Sequence, residues 1–261
     1  MTVLRLADDG EAADLAAFLS RLLHYDRAAA VRLQAAPAGG AGESGAGESG
    51  AGDGGVLAVF GRPPSFEVLA IRTARLAEPV RLDVTVSAGE LLDGIGGMEG
   101  TEGVDGIDGV AGAAGTVTVP AEVTGPPWAG VLPPQGGWRR VPGLPPPEAL
   151  GRMLAVSVAE FRARDGALPP EQRTRAERDR IGREIWSRTV GDTHLPLRAV
   201  HAAQSLGFLR PVRTPAGAAG AGPLPEPYTL LAAGGWLRLR TPLGSIAVRT
   251  GGLQGLSVTP A

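Results

Sequence analysis

The residues best suited to binding chemistry lie near the end of the chain, where tryptophan and arginine alternate with leucine. Across residues 236–240 (WLRLR), the two-residue period of a strand places Trp236, Arg238 and Arg240 on one face and the leucines on the other. Arg249, on the second arm of a predicted hairpin, can join the same face. Guanidinium groups beside an indole bind the phosphates and bases of nucleic acid or the carboxylates of an acidic protein.

A second basic and aromatic segment, formed by Trp138, Arg139 and Arg140, precedes the C-terminal half. We predict that these residues form a second contact with an acidic partner or with nucleic acid. The alternative interpretation is an ordinary outer sheet face with solvated cations and a tryptophan half covered by a loop.

Several classes of enzyme are excluded by residue types that the chain lacks. It contains no Lys, Asn or Cys, so all 25 of its Lys and Arg positions are Arg. There can therefore be no lysine Schiff base, no P-loop or kinase lysine, no thiolate nucleophile, no disulfide and no cysteine-bound metal. A GC-rich genome explains this composition without functional selection.

Three histidines, His24, His194 and His201, are the remaining groups that titrate near neutral pH. The last two are seven residues apart, which separates them by two helical turns and prevents them from sharing one metal ion. His24, near the end of the first predicted helix, suits the negative pole of the helix dipole. The sequence therefore predicts no catalytic residue, no cofactor and no metal site, and it favours a non-enzymatic role.

Two short patterns match functional motifs but lack the elements that those motifs need. The pattern G-x-G-x-x-G recurs within residues 40–55, yet a predicted strand follows it, whereas the dinucleotide-binding motif requires a helix there. Ser205 has the small-x-Ser-x-Gly surroundings of an α/β-hydrolase nucleophile, but it ends a predicted helix and no His follows it. We interpret the first pattern as low-complexity sequence and the second as a helix terminus.

A long charged segment is predicted to form a helix that begins at Pro169 or Pro170 and ends near Arg188. Acidic residues in it precede arginines by four positions, the spacing that stabilises an exposed helix. The three predicted pairs are Glu171 with Arg175, Asp179 with Arg183, and Glu184 with Arg188.

The first half of the chain is predicted to form an α+β fold, a mostly antiparallel sheet with one long and one short helix. A strand at residues 3–6 leads to a helix capped by Asp8 or Asp9. One apolar stripe on that helix faces the core and consists of Leu15, Phe18, Leu19 and Leu22. Further strands are predicted at residues 29–34, 55–60, 66–76, 81–86 and 116–123. A short helix is predicted at residues 87–92. Alternation within 81–86 places Thr85 on the exposed side.

The second half is predicted to contain a three-helix segment followed by a β-hairpin. Predicted helices at residues 147–164 and 195–206 flank the charged helix. A strand is predicted at residues 228–233, and the hairpin arms at 236–240 and 245–250. This order, over roughly 100 residues, resembles that of winged-helix modules, and the resemblance implies nucleic-acid binding. The third helix, where such modules carry their recognition residues, offers Arg198 and His201.

Composition divides the chain into two predicted domains, residues 1–123 and 148–261, joined by a Pro- and Gly-rich crossing at 124–147. Three Gly-rich tracts are predicted to be flexible insertions or loops, at residues 37–54, 94–115 and 214–227. Residues 1–130 carry 8 Arg and 18 acidic residues, whereas residues 131–261 carry 17 Arg and 9 acidic residues. Either the two halves pack on each other as complementary surfaces, or the basic second half binds an acidic partner.

Together these features predict a cytoplasmic, non-enzymatic interaction or scaffold protein that contacts an acidic partner through its basic and aromatic C-terminal surface. Residues 1–10 lack the basic region and apolar run of a signal peptide. No apolar stretch approaches the ~20 residues of a membrane span, so we expect no membrane association. Nucleic-acid binding is the first alternative, and an enzyme that acts on a small anion through an unassigned site is the second.

Overall fold

The computed structural model describes residues 2–36, 54–96, 115–211 and 228–250. The three predicted Gly-rich tracts lie almost entirely outside these ranges. The described helices are α1 (Asp9–Tyr25), α2 (Ala88–Asp93), α3 (Pro147–Gly166), α4 (Arg175–Trp186) and α5 (Leu197–Ser205). The described strands are β1 (Thr2–Arg5), β2 (Ala30–Ala36), β3 (Val56–Gly61), β4 (Leu69–Arg75), β5 (Leu82–Ser87), β6 (Thr116–Val119), β7 (Arg139–Val141), β8 (Thr229–Ala233), β9 (Trp236–Thr241) and β10 (Gly244–Arg249). The predicted α+β class is confirmed.

Strands from both halves of the chain form one antiparallel sheet, in the order β5-β2-β3-β4-β10-β9-β8-β7. The junction between the halves is the pairing of β4 with β10, in which Ile71 lies opposite Ser245 and Leu69 opposite Ala247. Strands β1 and β6 form a separate two-stranded sheet. Strand β7, at the far edge of the large sheet, lies inside the predicted crossing. The division into two domains stays a prediction, because this pairing shows only that the halves share a sheet.

Helix α1 forms as its sequence predicts. The Asp8 side chain caps it by accepting a hydrogen bond from the backbone N–H of Glu11 at 3.0 Å. All four residues of the predicted apolar stripe are buried: Leu15, Phe18, Leu19 and Leu22. They join the main core, which also contains Leu239 and Ile246 from the C-terminal hairpin. The helices therefore cover one face of the large sheet.

The opposite face of the sheet, called here the outer face, carries a smaller apolar cluster. Phe60, Leu69, Ile71 and Ala247 form it, and Trp128 packs against them. A 3-10 helix at Pro127–Gly130, preceded by an extended segment, lays the tryptophan across the sheet.

The extended segment that precedes this 3-10 helix also covers Thr85. The backbone N–H of Val123 donates to the carbonyl of Thr85 at 2.9 Å. Thr85 is consequently buried, so its predicted exposure is wrong. Alternation alone gives the face of a side chain but not what later covers that face.

Helix α4 begins later than predicted, at Arg175 rather than at Pro169 or Pro170. The prolines open a short 3-10 helix, Pro170–Gln172. The Thr174 hydroxyl then caps α4 by accepting a hydrogen bond from a backbone N–H three residues on, at 3.3 Å. A strong capping residue sets the helix start here, ahead of the preference of proline for the first turn.

This later start changes the predicted ion pairs. Glu171 precedes the helix. Asp179 pairs with Arg175 at 3.8 Å instead of with the predicted partner, Arg183. Of the three predicted pairs, the one seen among the described residues joins Glu184 to Arg188 at 3.9 Å.

Shorter ion pairs connect α4 and the residues after it to α3. Arg164 donates to both carboxylate oxygens of Glu184 at 2.7 Å, and Arg188 binds both oxygens of Glu160. These hydrogen bonds lower the pKa of Glu184 and of Glu160. The charges of this region therefore fix how two helices pack.

No helix within the described ranges has the length and the hydropathy needed to cross a membrane.

Candidate binding surface

The predicted residues of β9 and β10 come together on the outer face. Antiparallel pairing places Arg249 opposite Trp236 and Arg238 opposite Ala247, while Arg240 follows on the same face. The Arg249 guanidinium lies 5.7 Å from the centroid of the Trp236 ring, within the distance at which a cation is attracted to an indole face.

The predicted second segment adds to this face through β7 and β8. Arg140 pairs with Leu231, which pairs with Arg238, so both arginines project to the same side. The Arg238 guanidinium lies 5.8 Å from the centroid of Trp138. The indole N–H of Trp138 donates to the carbonyl of Pro134 at 2.9 Å, which fixes the ring. A second arginine–tryptophan stack therefore extends the surface toward the sheet edge.

Arg139 does not share this surface. It pairs with Ala232, which pairs with Leu237, and Leu237 is buried in the main core on the helical side. Adjacent strand residues point to opposite faces, so grouping Arg139 with Arg140 in one contact is not possible. Arg139 is exposed at the sheet edge on the other side.

A cavity of about 430 Å³ opens beside Trp236 and Arg249, and is called here the Trp128 pocket. Trp128, Arg62 and Glu67 also line it, and sequence reasoning did not identify these three residues. The one available signal was the tryptophan itself, placed among prolines where no strand or helix periodicity accounts for it. Two indoles and two arginines therefore surround a space with one acidic side chain.

Glu67 lies where this pocket approaches a larger cavity. Its φ is +52° and that of Ser65 is +70°, a left-handed backbone that non-glycine residues seldom adopt. The Glu67 carboxylate lies 3.8 Å from the Nε of Arg198 on α5. Arg198, together with His194 and Arg249, also lines a third cavity of about 530 Å³.

The larger cavity, of about 750 Å³, lies between the β3–β4 loop and helices α3, α4 and α5, and is called here the His201 cavity. The His201 ring stacks on Trp186, with centroids 4.3 Å apart, and meets Phe66 edge-on at 5.2 Å. Burial lowers the pKa of His201. His201 is half-buried and packed against aromatic rings, an arrangement that does not suit a side chain that reads a DNA groove.

The other candidate motifs and ligands have less structural support. Ser205 ends α5, and Gly207 follows with a φ of +77°, so the predicted helix terminus is confirmed. The G-x-G-x-x-G repeats lie outside the described residues, apart from their last two glycines. Among the residues with described positions, no group of three or more His, Asp or Glu side chains could hold a metal ion.

Two family models match the chain, and each is described as a domain of unknown function. Residues 1–130 are similar to DUF8010, and residues 133–253 are similar to DUF8185. No curated protein and no solved structure matches the sequence. The Trp128 pocket takes Arg62 and Trp128 from the first matched segment and Trp236 and Arg249 from the second, so the surface depends on both.

Proposed function

We propose that this chain is a non-enzymatic interaction protein that binds an acidic segment of a partner protein on its outer face. The observation that carries the proposal is the Trp128 pocket, in which the Arg249–Trp236 stack faces Arg62. Arginine and tryptophan are the residues most enriched among those that dominate binding energy at protein interfaces. Their side chains together offer apolar contact area and donors for carboxylates.

The charges around the pocket support an acidic ligand. Among the described residues, Arg62 and Arg249 form no ion pair, and both are exposed. The guanidinium of an arginine beside an indole keeps its N–H groups in its own plane, where they can bind a carboxylate with two parallel hydrogen bonds. An apolar side chain of the same partner segment would fill the space between Trp128 and Trp236.

A binding role also suits the residue types that the chain contains. It has no Lys and no Cys and only three His, and His201 is enclosed by Phe66 and Trp186. We propose a cytoplasmic location as well, which the lack of cysteine supports.

Nucleic-acid binding is the alternative, and it would use the same outer face rather than α5. In winged-helix modules the recognition helix enters the major groove, whereas α5 is packed in the core through Leu197, Val200 and Ala203. The outer face could instead bind phosphates through arginines and bases through tryptophans. The experiment that tests the proposal separates these two ligands.

Binding is measured by fluorescence anisotropy with two labelled probes. The first is an acidic peptide of about 12 Asp and Glu residues with one central Phe, and the second is a single-stranded DNA of about 30 nucleotides. The wild-type chain is expected to bind the peptide, and Trp236→Ala and Arg249→Ala are each expected to weaken that binding about tenfold or more. The matched control is Arg162→Ala, which removes one charge from an exposed site on α3 and is expected to leave affinity unchanged.

Two outcomes would overturn the proposal. Equal peptide affinity for the wild type, Trp236→Ala and Arg249→Ala would show that any binding occurs elsewhere. Binding of the DNA but not the peptide, with an affinity that falls steeply as salt rises, would establish the nucleic-acid alternative.

A further inference from the structure

Most residues that line the His201 cavity are not part of the outer face. The cavity has the features of a small-molecule site. Its volume of about 750 Å³ lies within the usual range of roughly 300–1,000 Å³ for ligand pockets. Three helices and a loop enclose it, so residues distant in sequence converge on one space. Its lining combines an aromatic floor with a cationic rim.

The floor consists of rings that hold one another in place. Trp186 stacks on His201 and lies 6.3 Å from Phe161, and Phe66 meets His201 edge-on. Phe161 and Trp186 are half-buried and line the cavity, so their rings offer apolar area against which a planar ring can pack. Because each ring packs against a neighbour from another element, the floor is formed before any ligand arrives.

The rim contains two arginines that differ from the other arginines of the region. Arg178 is held by Asp165 at 2.7 Å, whereas Arg183 forms no ion pair with any described residue. The Nε of Arg198 is buried without a hydrogen-bond partner, which is a costly state for a charged donor. Arg183 and Arg198 both line the cavity and could bind an anion together.

Glu67 occupies the place that such an anion would take. Its carboxylate is 3.8 Å from Arg198, too far for a hydrogen bond, and its backbone is in the left-handed region. The side chain is 74% exposed, so it can leave without exposing core residues. An anion bound at Arg198 would replace Glu67 as the partner of this guanidinium.

We propose that the His201 cavity binds a planar ring compound that carries a phosphate or a carboxylate, with the ring on the floor of Trp186, Phe66 and Phe161. Arg183 and Arg198 bind the anionic group, and Glu67 competes with it for Arg198. The class includes nucleoside monophosphates and aromatic carboxylates. Trp236 and Arg249, which carry the proposed function, do not line this cavity, whereas Glu67 lines both it and the Trp128 pocket.

The test is calorimetric titration of the full chain with four probes: AMP, adenosine, inorganic phosphate and salicylate. AMP or salicylate is expected to bind, and the probe that binds identifies the anionic group. Adenosine and phosphate are each expected to bind at least about tenfold more weakly than AMP if AMP is the ligand, because each contains half of the recognised chemistry.

Variants assign the binding to this cavity. Arg183→Ala, an exposed substitution that leaves the core intact, is expected to weaken binding about tenfold or more, as loss of a charged hydrogen bond does. Glu67→Gln is expected to strengthen it several-fold, because the competing charge is removed. Arg180→Ala is the matched control, since Arg180 is on the same helix but does not line the cavity.

The proposal is overturned if neither AMP nor salicylate binds the wild type at millimolar concentration. It is also overturned if Arg183→Ala binds as tightly as the wild type. Weaker binding by Glu67→Gln would contradict the competition between Glu67 and the ligand.

Discussion

The imidazole of His201 lies parallel to the indole of Trp186, with ring centroids 4.3 Å apart and planes inclined by 24°. This stack joins α5 to α4, and Phe66 from the β3–β4 loop closes the other side. The imidazole is therefore partly buried while remaining titratable. Its protonation must be coupled to the stability of this part of the fold.

We predict that the free energy of unfolding falls as the pH is lowered below about 6.5, the ordinary pKa of histidine. Burial lowers the pKa of His201 in the folded chain, so in acid the unfolded chain binds a proton that the folded chain does not. The contribution of His201 is complete above the unfolded pKa and is lost as pH falls toward the folded one. Charged side chains that line the same cavity are Glu67, Arg175, Arg178, Asp179, Arg183 and Arg198.

The measurement is urea unfolding between pH 5.5 and 8, followed by circular dichroism. His201→Phe retains a ring in the stack and is expected to abolish this part of the pH dependence. His194→Gln, at an exposed histidine, serves as the control and should keep it. An unchanged pH profile in His201→Phe would assign the titration to another group.

We predict that, among the charged residues, substitution of Arg72 lowers the free energy of unfolding the most. It is 7% exposed, its Nη2 donates to Asp14 at 2.8 Å and its Nη1 donates to the carbonyl of Leu243 at 2.7 Å. Arg72→Ala removes both hydrogen bonds, although the Asp14 carboxylate, 42% exposed, stays hydrated. The expected loss is about 2 kcal/mol of unfolding free energy, roughly 1 kcal/mol for each hydrogen bond lost.

Arg5→Ala is the control for this measurement. The Arg5–Glu78 pair spans 3.8 Å between side chains that are 61% and 69% exposed, and such pairs contribute less than about 1 kcal/mol. Chemical denaturation of the two variants under the same conditions compares them directly. If Arg72→Ala lost no more stability than Arg5→Ala, the network around Arg72 would be energetically unimportant.

Local signals in the sequence were sufficient to predict the elements and one half of the surface. The Asp8 cap, the α1 stripe and the alternation that places Trp236 with Arg238 each depend on spacings of two to four residues. Such spacings can be read from the sequence without knowing which distant residues a segment packs against. The register of β9 on β10 places Trp236, Arg238, Arg240 and Arg249 on one face of the sheet, as this alternation predicts, and the binding role of that face stays a prediction.

Features that depend on distant residues were not predictable from the same signals. Trp128 reaches the outer face because a 3-10 helix folds across strands that are far away in sequence. Arg139 was grouped with Arg140 because both are basic and no strand was predicted there; in β7 adjacent residues point to opposite faces of the sheet. The late start of helix α4 has a local cause instead. The Thr174 cap sets the start of the helix, and the prediction considered only the two prolines before it.

The last prediction concerns the junction of the two halves, which the domain division inferred from composition leaves open. A fragment of residues 1–130 would expose the β4 edge that pairs with β10, and it would uncover core residues that meet Leu239 and Ile246. Arg72 would also lose the carbonyl of Leu243. An unpaired edge strand beside an uncovered apolar face favours aggregation over a stable monomer.

We therefore expect residues 1–130 alone to show no cooperative thermal transition by circular dichroism. Co-expression with residues 131–261 is expected to restore one transition, because the shared sheet and core can then form. The full chain is the reference for its midpoint. A fragment of residues 1–130 that unfolds cooperatively near the midpoint of the full chain would instead establish two independent domains, and the β4–β10 pairing would then be a docking contact between them.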